Sequence, residues 1–198
     1  QDIISGYNHD WSNLEGRAEA LFRPKNSIEC ALIMKICYYL DIKMTLSAGR
    51  TNLTGSATPE GGVIISVNNL KEIERLDMSS KTITVSPGTY IEEIRQVVNN
   101  ESKNQLEFSV DPTSRREAMI GGAISCNASG FIPGDKGAMR YWVNGLDIVL
   151  PNGEFLRIKR GQYISENGQF DLIMSDGTST VIKIPSYKRV NLKNASGP

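Results

Sequence analysis

Histidine and cysteine are scarce: one histidine, His9, and three cysteines in 198 residues. Such a set gives no metal-ligand cluster. A Ser-His-Asp or Cys-His device would have to take its base from residue 9, an unpromising place near the start of the chain. Cys30 and Cys37 lie about two turns, or ~10 Å, apart on one predicted helix, beyond disulfide reach. Both are expected as buried thiols, and Cys126 stands alone.

An excess of charge of either sign is also missing. Lys plus Arg and Asp plus Glu both number 22, so no basic face is implied and nucleic acid is not an expected partner. Long hydrophobic runs are absent too. The longest, Ala31 to Leu40, is interrupted by Lys35 and is too short to span a bilayer, and no basic-then-apolar leader opens the chain. A soluble, cytoplasmic protein is expected, with no transmembrane segment. There is no internal repeat, low-complexity tract or long linker. With 39% hydrophobic residues, the chain can bury one sizeable core or two small adjoining ones.

What is present begins with a helix. Asn26 can cap it with Glu29 three residues on, and Ile28, Leu32, Ile36 and Leu40 recur every four residues as its predicted core face. "KMTLS" (43–47) and "GVIISV" (62–67) read as strands on either side of a glycine-rich loop. "KEIERLD" and "KTITVSPG" form a predicted hairpin across Ser79 and Ser80. Thr89 with Glu92 makes a second capping-box pattern, opening a helix to about Asn99 with Ile91, Ile94 and Val98 inward. Gly121-Gly122 stands where a further helix should start and Gly130 where it should end. From Trp142 the pattern is strand-rich, with "PNG" and Asp176-Gly177 as turns. A boundary near residues 68–72 divides the expectation into an N-terminal α/β subdomain, 1–70, and a C-terminal α+β subdomain, 71–198.

Two stretches invite chemistry. The first, "SAGRTNLTGSATPEGGVIIS" (47–66), has the glycines and hydroxyls of a phosphate cradle without the Gly-Lys-Ser/Thr ending of a triphosphate loop. Gly49, Thr51, Thr54 and Gly55 suit an anion held by neutral donors, such as a pyrophosphate. An ordinary polar crossover between strands is an equal alternative on this loop alone. The second, "DPTSRREAMIGGAISCNASG" (111–130), adds a glycine pair that permits close approach of a ligand, with Ser125 and Asn127 one turn on. Neither has the Gly-x-Gly-x-x-Gly spacing of a dinucleotide fingerprint.

The series "SAGRTNLTG", "GGVIIS", "TVSPG", "DPTSRREAMIGGAISCNASG" and "RYWVNGLDIVLPNGE" resembles, in order and spacing, the FAD-binding domain of the vanillyl-alcohol oxidase (PCMH-type) flavoproteins. The resemblance runs from about Phe22 to Arg157 and is most like the flavin subunits of D-lactate dehydrogenase and glycolate oxidase. It implies an α+β, two-subdomain fold: a small α/β N-terminal part and a larger, mostly antiparallel sheet with helices. It also implies that Ala48, Gly49, Arg50, Thr51, Asn52, Leu53, Thr54 and Gly55 line the FAD pyrophosphate. Pro112, Gly121, Gly122, Ser125, Asn127, Ala128 and Gly130 would follow the diphosphate, ribityl chain and flavin ring. FAD has no terminal phosphate, so no lysine is needed. Arg50 is the one cation of the first loop, offsetting phosphate charge or simply solvated. Covalent attachment in the family uses a histidine or cysteine near the cofactor. The first loop has neither and Cys126 is expected as a small buried thiol, so non-covalent FAD is implied.

The chain departs from the pattern at Lys136, where the family has tyrosine before Gly137. Residues 161–191 read as an extra strand-rich insertion, and "KNASGP" (193–198) matches only the beginning of the family's next segment. The chain is therefore expected to be part of a longer flavoprotein whose 2-hydroxy-acid site lies elsewhere, and no catalytic or metal-binding residue is assigned. An electron-acceptor partner is implied as well. Two alternatives stand beside this reading. One keeps the fold with other chemistry, as in the peptidoglycan-precursor reductase or the ether-lipid synthase. The other is an FAD-free α+β interaction domain.

Overall fold

The computed structural model describes residues 3–186; "KNASGP" and the end of the 161–191 stretch lie outside them. The N-terminal part is a three-stranded parallel sheet in the order β1 (Ala20–Phe22), β3 (Val63–Ser66), β2 (Met44–Ser47). Val63 pairs with Ala20 on one side and Met44 on the other. β3 reads Val-Ile-Ile-Ser without alternation because it is central and buried along its length, with Ile64 and Ile65 fully enclosed. β1, which sequence patterning did not find, is only three residues long.

Helix α1 (Ser27–Tyr39) lies across this sheet. Its start is as expected: Asn26 Oδ1 accepts from Glu29 N–H at 2.9 Å. The carboxylate of Glu29 accepts from Lys25 N–H at 2.7 Å, closing the N-terminus one residue earlier than a standard capping box. The buried face, however, is the opposite of the predicted one. Cys30, Met34 and Cys37 are buried and pack on Val63 and Ile65, and Ala31 is buried with its carbonyl against Gly153, whereas Ile28, Leu32, Ile36 and Leu40 are exposed. The helix is apolar nearly all round, so a period of four in Ile and Leu does not identify the core face. The two cysteines are small enough to seat the helix close to the sheet. Burial raises both thiols' pKa values above the usual range, so Cys30 and Cys37 are inert packing groups.

The rest of the chain is built of antiparallel pairs and short helices. β4 (Ile73–Asp77) pairs with β5 (Thr82–Val85), β6 (Gly145–Val149) with β7 (Phe155–Lys159), and β8 (Gln169–Ile173) with β9 (Ser179–Lys183). The turns fall at Ser79-Ser80, Asn152-Gly153 and Asp176-Gly177, as their sequences require. α2 (Ile91–Glu101) buries Ile91, Ile94 and Val98 as predicted. Its cap lies one residue later than expected: Tyr90 N–H donates to the Glu93 carboxylate at 3.2 Å. Thr89 is instead buried, its hydroxyl donating to Glu72 C=O. α3 (Ile120–Ser125) and α4 (Met139–Trp142) complete the set.

Hydrophobic contacts among the described residues form three clusters rather than one or two. The largest joins α2, Val110, Ala118, α3 and Met139, the second lies between α1 and the parallel sheet, and the third holds the two C-terminal hairpins through Leu156, Leu172 and Met174. Val149 of β6 reaches the second cluster, and Gly153, at φ +82°, sits so close to α1 that a Cβ there would lie 2.6 Å from Ala31 C=O.

The reversed face of α1 has a measurable consequence. Met34→Ala should cost about 2–4 kcal/mol and Asn26→Ala about 1 kcal/mol, while Leu32→Gln should stay within about 0.5 kcal/mol of the parent. Urea unfolding checks the order, and a large loss from Leu32→Gln would restore the predicted face.

Candidate functional site

The first glycine-rich loop leaves the C-terminal end of β2 and returns to β3, so it stands where ligands approach a parallel sheet. Arg50 has φ +55°, a left-handed conformation that turns the peptides on either side of it. Beyond it, Asn52 Oδ1 accepts from Thr54 N–H, the Thr54 hydroxyl and Ser56 N–H, each at 3.1 Å. The loop is thereby organised from within. Among the described residues nothing accepts from the backbone N–H of Gly49, Thr51 or Leu53, a set of donors left open to a ligand.

The second stretch is brought against the first. A Cβ on Gly49 would collide with the carbonyl oxygen of Glu117, and one on Gly122 would lie 3.2 Å from the Ala48 Cβ. Gly121 abuts Pro87, where a Cβ would meet the proline side chain at 2.7 Å, and its N–H donates to Pro87 C=O at 2.9 Å. These three glycines therefore let protein approach protein; the pair 121–122 lies just inside α3.

Between the loops is an open cleft of about 280 Å³. Ala48, Gly49 and Arg50 line it from one side and Arg116, Glu117 and Met119 from the other, with Trp11, Asn68 and Tyr90 completing the lining. The Arg50 guanidinium stands 4.4 Å over the Tyr7 ring and reaches the Ser47 hydroxyl at 3.4 Å. Asn68 Oδ1 is buried without a hydrogen-bond partner, although its Nδ2 donates to the Tyr7 hydroxyl at 3.0 Å.

Other sequence-predicted residues turn away from this cleft. Leu53 is 73% exposed. The Thr54 hydroxyl serves Asn52, and the Ser125 hydroxyl donates to Gly121 C=O at 2.9 Å. Asn127, at φ +47°, ends α3 in place of the expected Gly130, and its Oδ1 accepts from Arg140 N–H at 3.0 Å. Ala128 N–H donates to Ala123 C=O, and its own carbonyl accepts from Met139 N–H. Gly130 serves another purpose: a Cβ there would overlap the carbonyl of Asp111, and Phe131 N–H donates to that oxygen at 3.2 Å. Pro112 is buried. Cys126 is exposed, contrary to expectation, because it follows the last turn of α3 rather than facing its core.

A cluster of charges shapes the second wall. Arg115 pairs with Glu92 at 2.9 Å and Asp111 at 2.8 Å, and Arg95 pairs with Asp111 at 3.2 Å. All four side chains are about a quarter to a third exposed. Asp111 above all, then Glu92, raises the Arg115 pKa, so the guanidinium remains charged and ties the 111–118 segment to α2. Sequence reading missed this cluster and also Trp11, Asn68, Tyr90, Arg116 and Met119 of the cleft. Asp111, Arg115, Arg116 and Met119 stood inside a quoted motif; Trp11, Asn68 and Tyr90 carry no local signal.

The donor set suits the FAD that the resemblance implies. Open N–H groups, two arginines and an orphaned buried acceptor at Asn68 fit a ligand with a diphosphate and hydrogen-bonding rings. Gly122→Val should then remove measurable FAD binding while leaving the far-ultraviolet circular dichroism unchanged, because a β-branched side chain would push Ala48 and displace the first loop. Gly122→Ala, whose methyl would lie 3.2 Å from the Ala48 Cβ and need only a small shift, should fall between. A Gly122→Val chain that binds FAD like the parent would show that the two walls do not depend on each other.

Comparison with known proteins gives the chain's family and the likeness of its fold. The chain is 30% identical over 182 residues to the glycolate oxidase subunit GlcD of Bacillus subtilis, covering 89% of this chain and 38% of that protein. It is 29% identical over 160 residues to a D-lactate dehydrogenase of Anaerostipes hadrus, covering 79% and 33%. With the mitochondrial D-2-hydroxyglutarate dehydrogenase of Danio rerio it shares 26% over 187 residues, 91% and 34%. The chain thus spans about a third of the length of these relatives. Among solved structures, 4-ethylphenol oxidase from Gulosibacter chungangensis superposes with a TM-score of 0.68 at 19% identity, covering 78% of this chain and 30% of that one. Xylooligosaccharide oxidase from Myceliophthora thermophila gives 0.67 at 18%, covering 80% and 33%; both likenesses concern the fold. Among the described residues no helix is long and apolar enough to cross a membrane. Residues 18–159 match the family model described as an FAD-binding domain, and the chain belongs to that family.

Proposed function

We propose that this chain is the FAD-binding part of an oxidoreductase that oxidises a 2-hydroxy acid such as D-lactate or glycolate, with residues 48–55 and 112–130 forming two walls of the cofactor site. The observation that carries the reading is the contact of Gly49 with the Glu117 carbonyl, which sets the open Gly49 N–H beside Arg50 and Arg116 in one cleft. The hydroxy-acid assignment is supported by relatives whose names specify glycolate, D-lactate and D-2-hydroxyglutarate.

When bound, the flavin supplies the redox step by accepting a hydride from substrate. The chain's own residues position it. Gly49, Thr51 and Leu53 N–H groups would hold diphosphate oxygens as neutral donors, and Arg50 and Arg116 would offset their charge. Asn127 and Ala128, fixed by their bonds to Arg140 and Met139, would carry the wall toward the flavin ring. Binding is non-covalent in this reading, since the first wall contains no histidine or cysteine and the Cys126 thiol is turned outward. The boundary between the parallel-sheet part and the remainder is placed near residue 70. A second part of the longer protein would bind the hydroxy acid, and a quinone, an iron-sulfur partner or oxygen would take the electrons. A cytoplasmic location accompanies this proposal.

Two outcomes follow. This chain alone, given FAD, should turn over neither D-lactate nor glycolate, because proximity to the flavin requires a substrate wall from elsewhere; measured turnover would overturn that division. FAD should bind more tightly than riboflavin by more than roughly a hundredfold, since each charge-assisted bond to the diphosphate contributes about 1.5–3 kcal/mol. Flavin fluorescence titration measures both, and equal affinities would remove the first loop from the cofactor site.

A further inference from the structure

The segment before β1 is not a loose lead-in. Asp10 is 3% exposed and lies far in sequence from the loop it holds. Its Oδ2 accepts from Ala57 N–H at 3.2 Å and its Oδ1 from Ser12 N–H at 2.9 Å. Burial pushes this carboxyl's pKa up, but hydrogen bonds from Ser12, Ala57 and Asn52 outweigh it and hold the pKa below its usual 3.8. The group is therefore ionised at neutral pH, and the stability it contributes is lost as pH falls through that range. A buried charge so placed is retained only where its bonds are made.

Further attachments run along the loop. Trp11 N–H donates to Arg50 C=O at 3.1 Å, Arg17 N–H to Pro59 C=O at 2.9 Å, and Gly61 N–H to Arg17 C=O at 2.8 Å. Leu14 packs on Gly55, where a Cβ would lie 2.6 Å from its Cδ1. The Tyr7 ring is buried under the Arg50 guanidinium. Arg50 is thus gripped twice, at its carbonyl and at its side chain, in a left-handed conformation that a non-glycine residue seldom adopts. The N–H groups of Gly49 and Thr51 flank it. The Thr51 N–H shares its peptide plane with the gripped Arg50 carbonyl, so this conformation sets its direction, while the Gly49 N–H lies in the peptide before the two that flank Arg50.

We propose that Tyr7 and Asp10 are positioning residues for the 48–55 loop, aiming its open N–H groups at the ligand. The inference rests on the assignment of that loop to the FAD diphosphate. Tyr7 acts through Arg50, and Asp10 acts through Ala57 and Ser12. Neither touches the ligand. Their loss should weaken FAD, which uses the diphosphate donors, and spare riboflavin, which has no diphosphate.

The test is a fluorescence titration of the chain and three variants with FAD and with riboflavin, each checked by circular dichroism. Tyr7→Leu, which removes the ring under Arg50, should raise the FAD Kd at least tenfold and leave the riboflavin Kd within twofold. Tyr7→Phe keeps the ring and should stay within threefold for FAD. Asp10→Asn places a donor against Ala57 N–H or Ser12 N–H and should raise the FAD Kd about tenfold, again without affecting riboflavin. If Asp10→Asn fails to fold, the Tyr7 pair decides. Equal effects of Tyr7→Leu and Tyr7→Phe, or parallel losses for both ligands, would overturn the proposal and leave the segment a structural prop. If the parent chain holds FAD no better than riboflavin, the diphosphate assignment itself fails before any variant is made, and the proposal falls with it.

Discussion

The structure depends on one close approach: the backbone of Gly49 lies against the Glu117 carbonyl at a distance that no side-chain carbon could occupy. This contact joins a loop of the parallel sheet to a loop of the helical and antiparallel part. The segment Ser86–Tyr90 holds the same juncture from behind. Gly88 packs against the carbonyls of Val67 and Leu70, Gly121 N–H donates to Pro87 C=O, and Ile120 N–H donates to Thr89 C=O. Residues from three separate regions of the chain thereby meet without a continuous hydrophobic core between them. Backbone hydrogen bonds and missing Cβ atoms do the joining, and both are intolerant of added volume.

The charge arrangement follows from that geometry. On the outer side of the second wall, two arginines and two acids neutralise one another and tie the 111–118 segment to α2. Arg50, Arg116 and Glu117 line the cleft together with Gly49. The four-charge cluster is partly solvated, so its worth lies in fixing the segment's direction more than in net stability. Separation of the two groups matters, since Glu92 and Asp111, paired with Arg95 and Arg115, do not compete with a ligand anion for the cleft arginines.

Much of this was legible in the sequence, and the failures have physical causes. Turn residues and β-branched runs located β2 to β9 because those signals are local, and Asn26 with Glu29 announced the start of α1 in the same way. The face of α1 was not legible. Ile28, Leu32 and Ile36 are larger and more hydrophobic than Cys30 and Cys37, yet the small side chains are buried because the helix must sit close to a three-stranded sheet. The glycines were found, but their purpose was misread in part: Gly49, Gly121, Gly122 and Gly130 make room for protein neighbours as well as for any ligand. Tyr90, Asn68 and Trp11 were invisible because they reach the cleft only through long-range contacts, and a single residue in a loop or at a helix cap carries no periodicity to betray it.

The absence of a lysine in the first loop now has a structural reason. A lysine is a mobile point charge on a flexible stem, useful for reaching a terminal phosphate that changes during reaction. Here the donors are peptide N–H groups whose direction is set by Arg50 at φ +55° and by Asn52, which holds the following turn through three hydrogen bonds. Fixed dipoles need little reorganisation when an anion arrives, and they discriminate by geometry where a lone charge discriminates by sign. The one cation of the loop is restrained over an aromatic ring and is not free to sweep the cleft. Such a site suits an anion that stays in place as an anchor while chemistry proceeds at the far end of the molecule, which is the part a diphosphate plays within FAD.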